Sequence, residues 1–275
     1  MSQPLTIVVP VKHVPDAAGQ RVLAGSPPLL ERTSGILSEL DEYALEAAVQ
    51  IVESHGGAAA GHRVLALTLG PEGATDALKR ALQRGADAGF HVLDDALAGS
   101  DAWVTARVLA AAVQRIAAEE DKPVDLVLTG MASTDGETSL VPGQLAERLG
   151  LAHIGFASSL ELAEDGASLT ATRHTETMSL RVVADLPALV AVTDQANTPR
   201  YPNFKAIVAA KKKPVQTWPV AGLGLDAGAV GLAGSLTEVL DAVPRPPRAA
   251  GEIVRDEGEG GIRLAEFLVA RKLVR

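Results

Sequence analysis

There is no cysteine among the 275 residues, and aromatic residues make up only 3% of the chain. The first absence removes disulfides, thiolate metal sites, iron–sulfur clusters and a cysteine nucleophile. It fits a reducing compartment, and a cytoplasmic location is the expectation. The second absence means that the core has to be built from Ala, Leu and Val. Positive charge is also short, with 25 Lys and Arg against 34 Asp and Glu and a formal net charge of −9. That balance favours solubility and argues against general nucleic-acid or membrane-surface binding. No apolar run reaches the roughly eighteen residues that a spanning helix needs. Pro4 and Pro10 break the first apolar stretch, so no signal peptide is expected there.

What is present is a regular alternation. Leu5 to Val11 is a short apolar run rich in β-branched residues and predicts a buried strand. Residues 20 to 35, with Gly25, Pro27, Pro28 and Gly35, predict a loop or hairpin-like excursion. Ser38 then precedes a helix over Asp41 to Glu53, which His55-Gly56-Gly57 ends. Strands follow at Arg63 to Leu69, Gly89 to Leu93 and Asp125 to Thr129, and helices at Glu72 to Arg84, Asp101 to Glu120 and Thr138 to Leu149. Alternating strands and helices with near-continuously apolar strands predict a parallel sheet covered on both faces, an α/β doubly wound fold of Rossmann-like type. After Gly150 the pattern changes to polar–apolar alternation over Ser158 to Glu164 and Ser168 to Val183, with Asp165-Gly166 as a hairpin turn. Ala188 to Val192 returns to an apolar strand. From Pro214 the chain is rich in Gly and Pro and predicts an extended C-terminal arm, ending in a short helix over Gly261 to Lys272. The expected division is therefore a nucleotide-binding α/β domain over 1–213 and an arm over 214–275.

Two constellations stand out. The first runs from Asp125 to Gly143, where a buried strand ends at Thr129, a polar loop follows and a helix begins. In a parallel sheet that strand end lies where ligands bind, and the helix start offers unpaired N–H groups to a phosphate. The competing explanation is an ordinary helix cap by Asp135 or Thr138. No Walker lysine is present, so a P-loop is excluded. The second constellation is Asp194 to Pro214, a basic, Pro-stiffened stretch that sets Arg200 beside Tyr201 and presents Phe204, one of only 4 Phe. Arg and aromatic residues of this kind favour protein contact surfaces. Lys211-Lys212-Lys213 could serve nucleic acid, but a partner- or anion-facing stripe suits an acidic protein better. Gly222-Leu-Gly-Leu-Asp-Ala227 matches a dinucleotide fingerprint in spacing alone, since no strand–turn–helix pattern frames it. The six His show no metal-ligand spacing. His13 and His91 flank strand ends, so either could line a cleft, but a surface or capping role is the expectation.

Taken in order, several segments resemble the electron transfer flavoprotein β-subunit family. They are Val11-Lys12-His13-Val14-Pro15-Asp16, Leu40-Asp41-Glu42-Tyr43 through Val49, Ala81 through Val92, the loop Gly130 to Val141, Leu186-Pro187-Ala188, Asn197-Thr-Pro199-Arg200-Tyr201 and the Lys run before Pro214. The resemblance implies a three-layer adenine-nucleotide-binding α/β sandwich that pairs with a larger α subunit as a heterodimer, the C-terminal arm packing on that partner. Such a dimer carries electrons from acyl-CoA and other flavin dehydrogenases, as in fatty-acid β-oxidation, to a membrane quinone oxidoreductase. No turnover is expected of the isolated chain. The redox FAD is held mainly by the α subunit, while the β subunit buries a structural AMP, replaced in some relatives by a second FAD. By the same resemblance the AMP site involves Pro10, Ser38, Glu39, Leu40, Asp41, Leu69, Gly130, Ser133, Asp135, Gly136, Thr138, Ser139, Leu140 and Val141. Backbone N–H groups of the last three would hold the phosphate. Asn197, Pro199, Arg200, Tyr201, Phe204 and Lys205 match the family's recognition loop, with Phe204 at the anchor position.

The loop departs from the family. Gly130-Met131-Ala132-Ser133 stands where Gly-Lys-Gln-Ala is usual, so a positive side chain is missing, and Pro142 intrudes after Thr138-Ser139-Leu140. The alternatives are an ATP-using enzyme of the same architecture, which Met131 in place of Lys disfavours, and a stress-protein-like nucleotide sensor. The second leaves the basic segment and the arm unexplained.

Overall fold

A computed structural model describes residues 3–274 apart from 17, 20, 33, 244, 248–250 and 252. The first strand, β1 (Thr6–Pro10), is followed by four two-residue strands, β2 (His13–Val14), β3 (Leu23–Ala24), β4 (Leu29–Leu30) and β5 (Ile36–Leu37). The pairs β2–β5 and β3–β4 are antiparallel and tie down the expected excursion. Then come α1 (Glu39–Ser54), β6 (Arg63–Leu69), α2 (Thr75–Gln83), β7 (Ala88–Val92), α3 (Ala102–Glu119), β8 (Leu126–Gly130) and α4 (Val141–Leu149). The second half adds β9 (Ala152–Leu162), β10 (Ser168–His174), β11 (Ser179–Asp185), β12 (Ala188–Val192), α5 (Phe204–Ala210), β13 (Val215–Trp218), α6 (Gly231–Gly234) and α7 (Gly260–Ala270).

Nine strands form one sheet in the order β11-β10-β9-β12-β8-β1-β6-β7-β13. All neighbours from β9 to β13 run parallel, and only the β9–β10 and β10–β11 pairs are antiparallel. The expected α/β doubly wound sheet is therefore present, with the hairpin region at one edge. The polar–apolar segment expected as one long strand over Ser168 to Val183 is split by a turn closed between Thr175 and Met178.

Alternation along β1 explains the layering. Ile7 and Val9 join a core with Leu45, Leu78 and Leu128 on one face, while Val8 joins Leu65, Val104 and Leu145 on the other. Both faces are apolar because helices cover both, α1 and α2 on the first and α3 and α4 on the second. Burying aliphatic side chains at about 25 cal/mol per Å² of apolar surface is the main driving force in a core so poor in aromatics.

The chain divides into two compact units, Met1–Leu240 and Asp241–Arg275. The segment after Pro214, expected as an arm, begins inside the first unit. There β13 pairs with β7, and Trp218, Val220 and Val230 are buried against the α3 side of the sheet. Trp218 stacks on Phe90 at 4.9 Å, so one of the few aromatic contacts fastens this segment. In the second unit α7 exposes Ile262, Leu264, Phe267 and Val269. Among the described residues no helix is long and apolar enough to cross a membrane.

Candidate functional site

Strand order locates the site. From β1 the chain moves outward through β6 and β7, then crosses back so that β8 lies on the opposite side of β1. The crevice at the carboxyl ends of β1 and β8 is thus the topological switch point, where open α/β sheets bind ligands. Pro10 and Gly130 end these two strands, and Ser38, Glu39, Leu40 and Asp41 begin α1 just above them. Leu69 ends β6, one strand over.

Asp41 knots the crevice together. Its carboxylate accepts the Lys12 backbone N–H at 2.8 Å. Burial pushes it up to about 7, against the pull of the Lys12 and Gly130 N–H groups and the Lys12 charge. A Cβ on Gly130 would lie 2.8 Å from both the Asp41 carboxylate and the Leu40 carbonyl, so only glycine lets α1 come this close. Ser38 is fully buried, yet its hydroxyl has no protein partner, and neither has that of buried Thr129. An unsatisfied buried polar group costs about 1–3 kcal/mol, so the pair invites a ligand.

The loop after β8 differs from expectation at its far end. The helix predicted from Thr138 begins at Val141, because Glu137 and Ser139 take positive φ angles of 51° and 53°. Ser139 therefore lies before the helix, and Pro142 is no intrusion: it falls within the first turn, where a helix has no use for its missing N–H. Leu140 caps the helix without a side-chain hydrogen bond of its own; Thr138 Oγ1 accepts the Leu140 N–H at 3.4 Å, while Asp135 takes no part in the cap. The N–H groups of Val141 and Gly143 stay open, Pro142 having none, and an open N–H at a helix start is what anion binding requires.

Asp135 is engaged elsewhere. Its nearly buried carboxylate receives Lys12 Nζ at 2.8 Å and Arg32 at 2.5 Å. Burial alone would raise it, but the two cations outweigh that and hold it well below the ordinary carboxylate range. Lys12 Nζ also donates to Ser133 Oγ at 3.2 Å, and Arg21 donates to the Thr134 carbonyl at 2.5 Å. Gly136, Thr138 and Leu140 lie exposed along the loop. Lys12, Arg21 and Arg32 were missing from the expected site. Lys12 stands in the quoted opening motif directly after β1, a signal that could have found it. Nothing in the sequence marks Arg21 or Arg32, since only the folded excursion brings them to the loop. His13 and His91, expected at the surface or as caps, are buried, and both ring nitrogens of His13 lack a partner. No metal-ligand cluster occurs among the described residues.

The second constellation sits on α1. Asn197 donates to the Tyr43 carbonyl at 2.9 Å. The Arg200 guanidinium forms a double fork, with Glu46 at 2.7 and 3.0 Å and with Glu53 at 2.7 and 2.8 Å. Arg200 was expected among the residues that face a partner, but these two carboxylates use its donors inside the protein. What the clamp presents outward is Tyr201, 91% exposed, and Phe204, 81% exposed at the start of α5. Pro199 is half-buried and Lys205 exposed. Lys213 also turns inward, donating to the Leu82 and Ala86 carbonyls at 3.0 and 2.5 Å, which leaves Lys211 and Lys212 as the exposed part of the run.

Comparison with known proteins decides the family. Residues 29–223 match the electron transfer flavoprotein domain family. Over 270 residues the chain is 39% identical to the electron transfer flavoprotein subunit beta of Mycobacterium tuberculosis (strain ATCC 25618 / H37Rv), covering 98% of this chain and 99% of the relative. The chain belongs to the electron transfer flavoprotein β-subunit family. A second relative, the subunit beta of Megasphaera elsdenii, is 29% identical over 98% of this chain and 100% of its own length. A third, the caffeyl-CoA reductase-Etf complex subunit CarD of Acetobacterium woodii, is 30% identical over 91% and 92%. Members of this family are electron carriers rather than enzymes. The ATP-using enzyme and the stress-protein-like sensor are therefore set aside for an electron transfer flavoprotein β subunit.

Proposed function

We propose that this subunit pairs with a larger α subunit as a heterodimer and holds AMP in the crevice between β1 and β8. The supporting observation is the buried, unsatisfied Ser38 hydroxyl at a topological switch point, beside the uncapped start of α4. Ser38 to Asp41 and Gly130 would frame the nucleotide, and the open N–H groups at the start of α4 would meet its phosphate. AMP supplies no electron chemistry there; it fills the crevice and fixes three chain segments around it. The redox FAD would be held mainly by the α subunit, near the interface.

In this reading flavin dehydrogenases, acyl-CoA dehydrogenases among them, dock on the segment 197–205 with Phe204 as anchor, and a membrane quinone oxidoreductase accepts the electrons. The exposure of Tyr201 and Phe204 on a clamped base supports it, since a preorganised aromatic anchor loses little entropy on binding. Co-expressing the chain with its α partner, denaturing the purified complex and weighing the released nucleotides tests both parts. One AMP and one FAD per heterodimer is the expected result. Two FAD would replace AMP by a second flavin in this subunit, and no flavin-containing complex would overturn the reading.

A further inference from the structure

On that reading a phosphate meets the loop after β8, yet from Gly130 to Leu140 the loop holds no Lys or Arg. Its cations come from elsewhere in the chain. Lys12, two residues beyond β1, and Arg32, just ahead of β5, both reach Asp135. The Asp135 side chain is 2% exposed, whereas those of Lys12 and Arg32 are 37% and 27% exposed. The carboxylate is sealed off while the two cations extend to the solvent side of it.

Charge and hydrogen bonds are both left over. Two cations share one carboxylate. The other acid beside Lys12 is Asp41, which burial raises to about 7, so that it carries less than a full negative charge at neutral pH. Glu137 faces Arg21 instead, at 3.5 Å. Of the three ammonium N–H groups of Lys12, two are directed, to Ser133 and Asp135. Of the five on Arg32, the directed ones go to the His13 carbonyl at 3.0 Å and to Asp135. This cluster has donors and positive charge to spare, beside the crevice.

We infer that Lys12 and Arg32 receive the phosphate charge of the nucleotide, in place of the lysine the loop lacks, with Asp135 as the positioning residue that holds them. The inference rests on AMP occupying the crevice. Lys12 is suitably placed, since its own backbone N–H is bonded to Asp41 at the crevice wall. A guanidinium fork and an ammonium point charge together suit a phosphate carrying close to two negative charges. An uncharged nucleoside gains nothing from either. The pair therefore sets the preference for a mononucleotide over its nucleoside.

The test is a calorimetric titration of the full chain assembled with its α partner, stripped of nucleotide, with AMP and separately with adenosine. Lys12→Gln and Arg32→Gln should each weaken AMP about tenfold or more, because each removes a charge-assisted contact, and should leave adenosine unchanged. Lys12→Arg and Arg32→Lys should restore part of the loss. Lys79→Gln, which disturbs only an exposed pair with Asp76, should change neither ligand. In the wild type, added salt should weaken AMP and spare adenosine, a readout that no folding defect in a variant can mimic. Unchanged AMP affinity in both Gln variants, equal losses for the two ligands, or salt-independent AMP binding would each overturn the inference while leaving the nucleotide site in place. A wild-type complex that binds neither ligand would overturn the site itself, and the inference with it.

Discussion

Two ion clusters organise the functional regions of this protein, and they are built with opposite ratios. At the crevice one carboxylate, Asp135, holds two cations, Lys12 and Arg32. Beneath the segment 197–205 two carboxylates, Glu46 and Glu53, hold one cation, Arg200. The first cluster has positive charge left to offer. The second has none, and its arginine works as a fastener for the aromatic pair outside it. A basic residue in a conspicuous motif is therefore not a binding group by its position alone. The number of acids already facing it decides.

The largest effect expected from this contrast is on stability. Arg200→Met leaves Glu46, whose side chain is 6% exposed, without its cation, with only the Gln50 amide and one backbone N–H still bonded to it. Breaking a buried pair costs about 3–5 kcal/mol, and the partly exposed arginine reduces this to about 2–3 kcal/mol. Urea denaturation measures it; a change under about 0.5 kcal/mol, the size usual for a surface substitution, would return Arg200 to the partner-facing set.

The crevice responds to pH instead. Because the folded protein raises Asp41 from 3.8 to about 7, it binds more protons than the unfolded chain between those values. The contribution of Asp41 to stability is thus greatest at low pH and declines as pH rises through this window. Buried His13 and His91, both lowered chiefly by desolvation, act in the opposite sense below their ordinary value of 6.5. The difference between wild type and Asp41→Asn isolates the carboxyl. It should shift by about 1.6 kcal/mol between pH 5.5 and 7, at 1.36 kcal/mol per unit and flattening towards pH 7, with the wild type relatively better at the acid end. A flat difference would show an ordinary, solvated carboxylate.

Phe204→Ala should cost about 2 kcal/mol of docking energy, roughly thirtyfold in the apparent affinity for a dehydrogenase, and almost nothing in stability. Loss of stability without loss of affinity would reverse the roles of anchor and fastener. The smallest effect concerns Lys213→Met, which removes the donor from the Leu82 carbonyl in the last turn of α2 and the Ala86 carbonyl beyond it, and should cost about 1 kcal/mol in thermal or urea unfolding. Binding should be untouched, because this lysine never faces outward.

Much of the fold was legible because it is written in periodicity. The strands at Arg63 to Leu69 and Ala188 to Val192 fall where their apolar runs lie, and α3 starts beside Asp101, which caps it. Legibility failed where backbone geometry or tertiary pairing decides. Positive φ angles at Glu137 and Ser139 delay α4 by three residues. A Gly- and Pro-rich composition hid β13, whose pairing with β7 only the sheet supplies. At the site, the frame of Ser38, Asp41 and Gly130 follows from strand ends and helix starts. Lys12 and Arg32 converge on Asp135 across more than a hundred residues of sequence, a distance that no local pattern reports.

The place of β12 has a consequence for synthesis. It lies between β8 and β9 and pairs with both, although these two precede it in the chain. Until Val192 has left the ribosome, β8 and β9 flank an empty slot, each with an open edge, and the crevice side of the sheet stands apart from the hairpin side. Unpaired edges in an incomplete chain invite pairing with other chains. A product stopped short of β12 would be two sheet fragments liable to aggregate, so the last short parallel strand of the interior is the one that makes a single sheet of them.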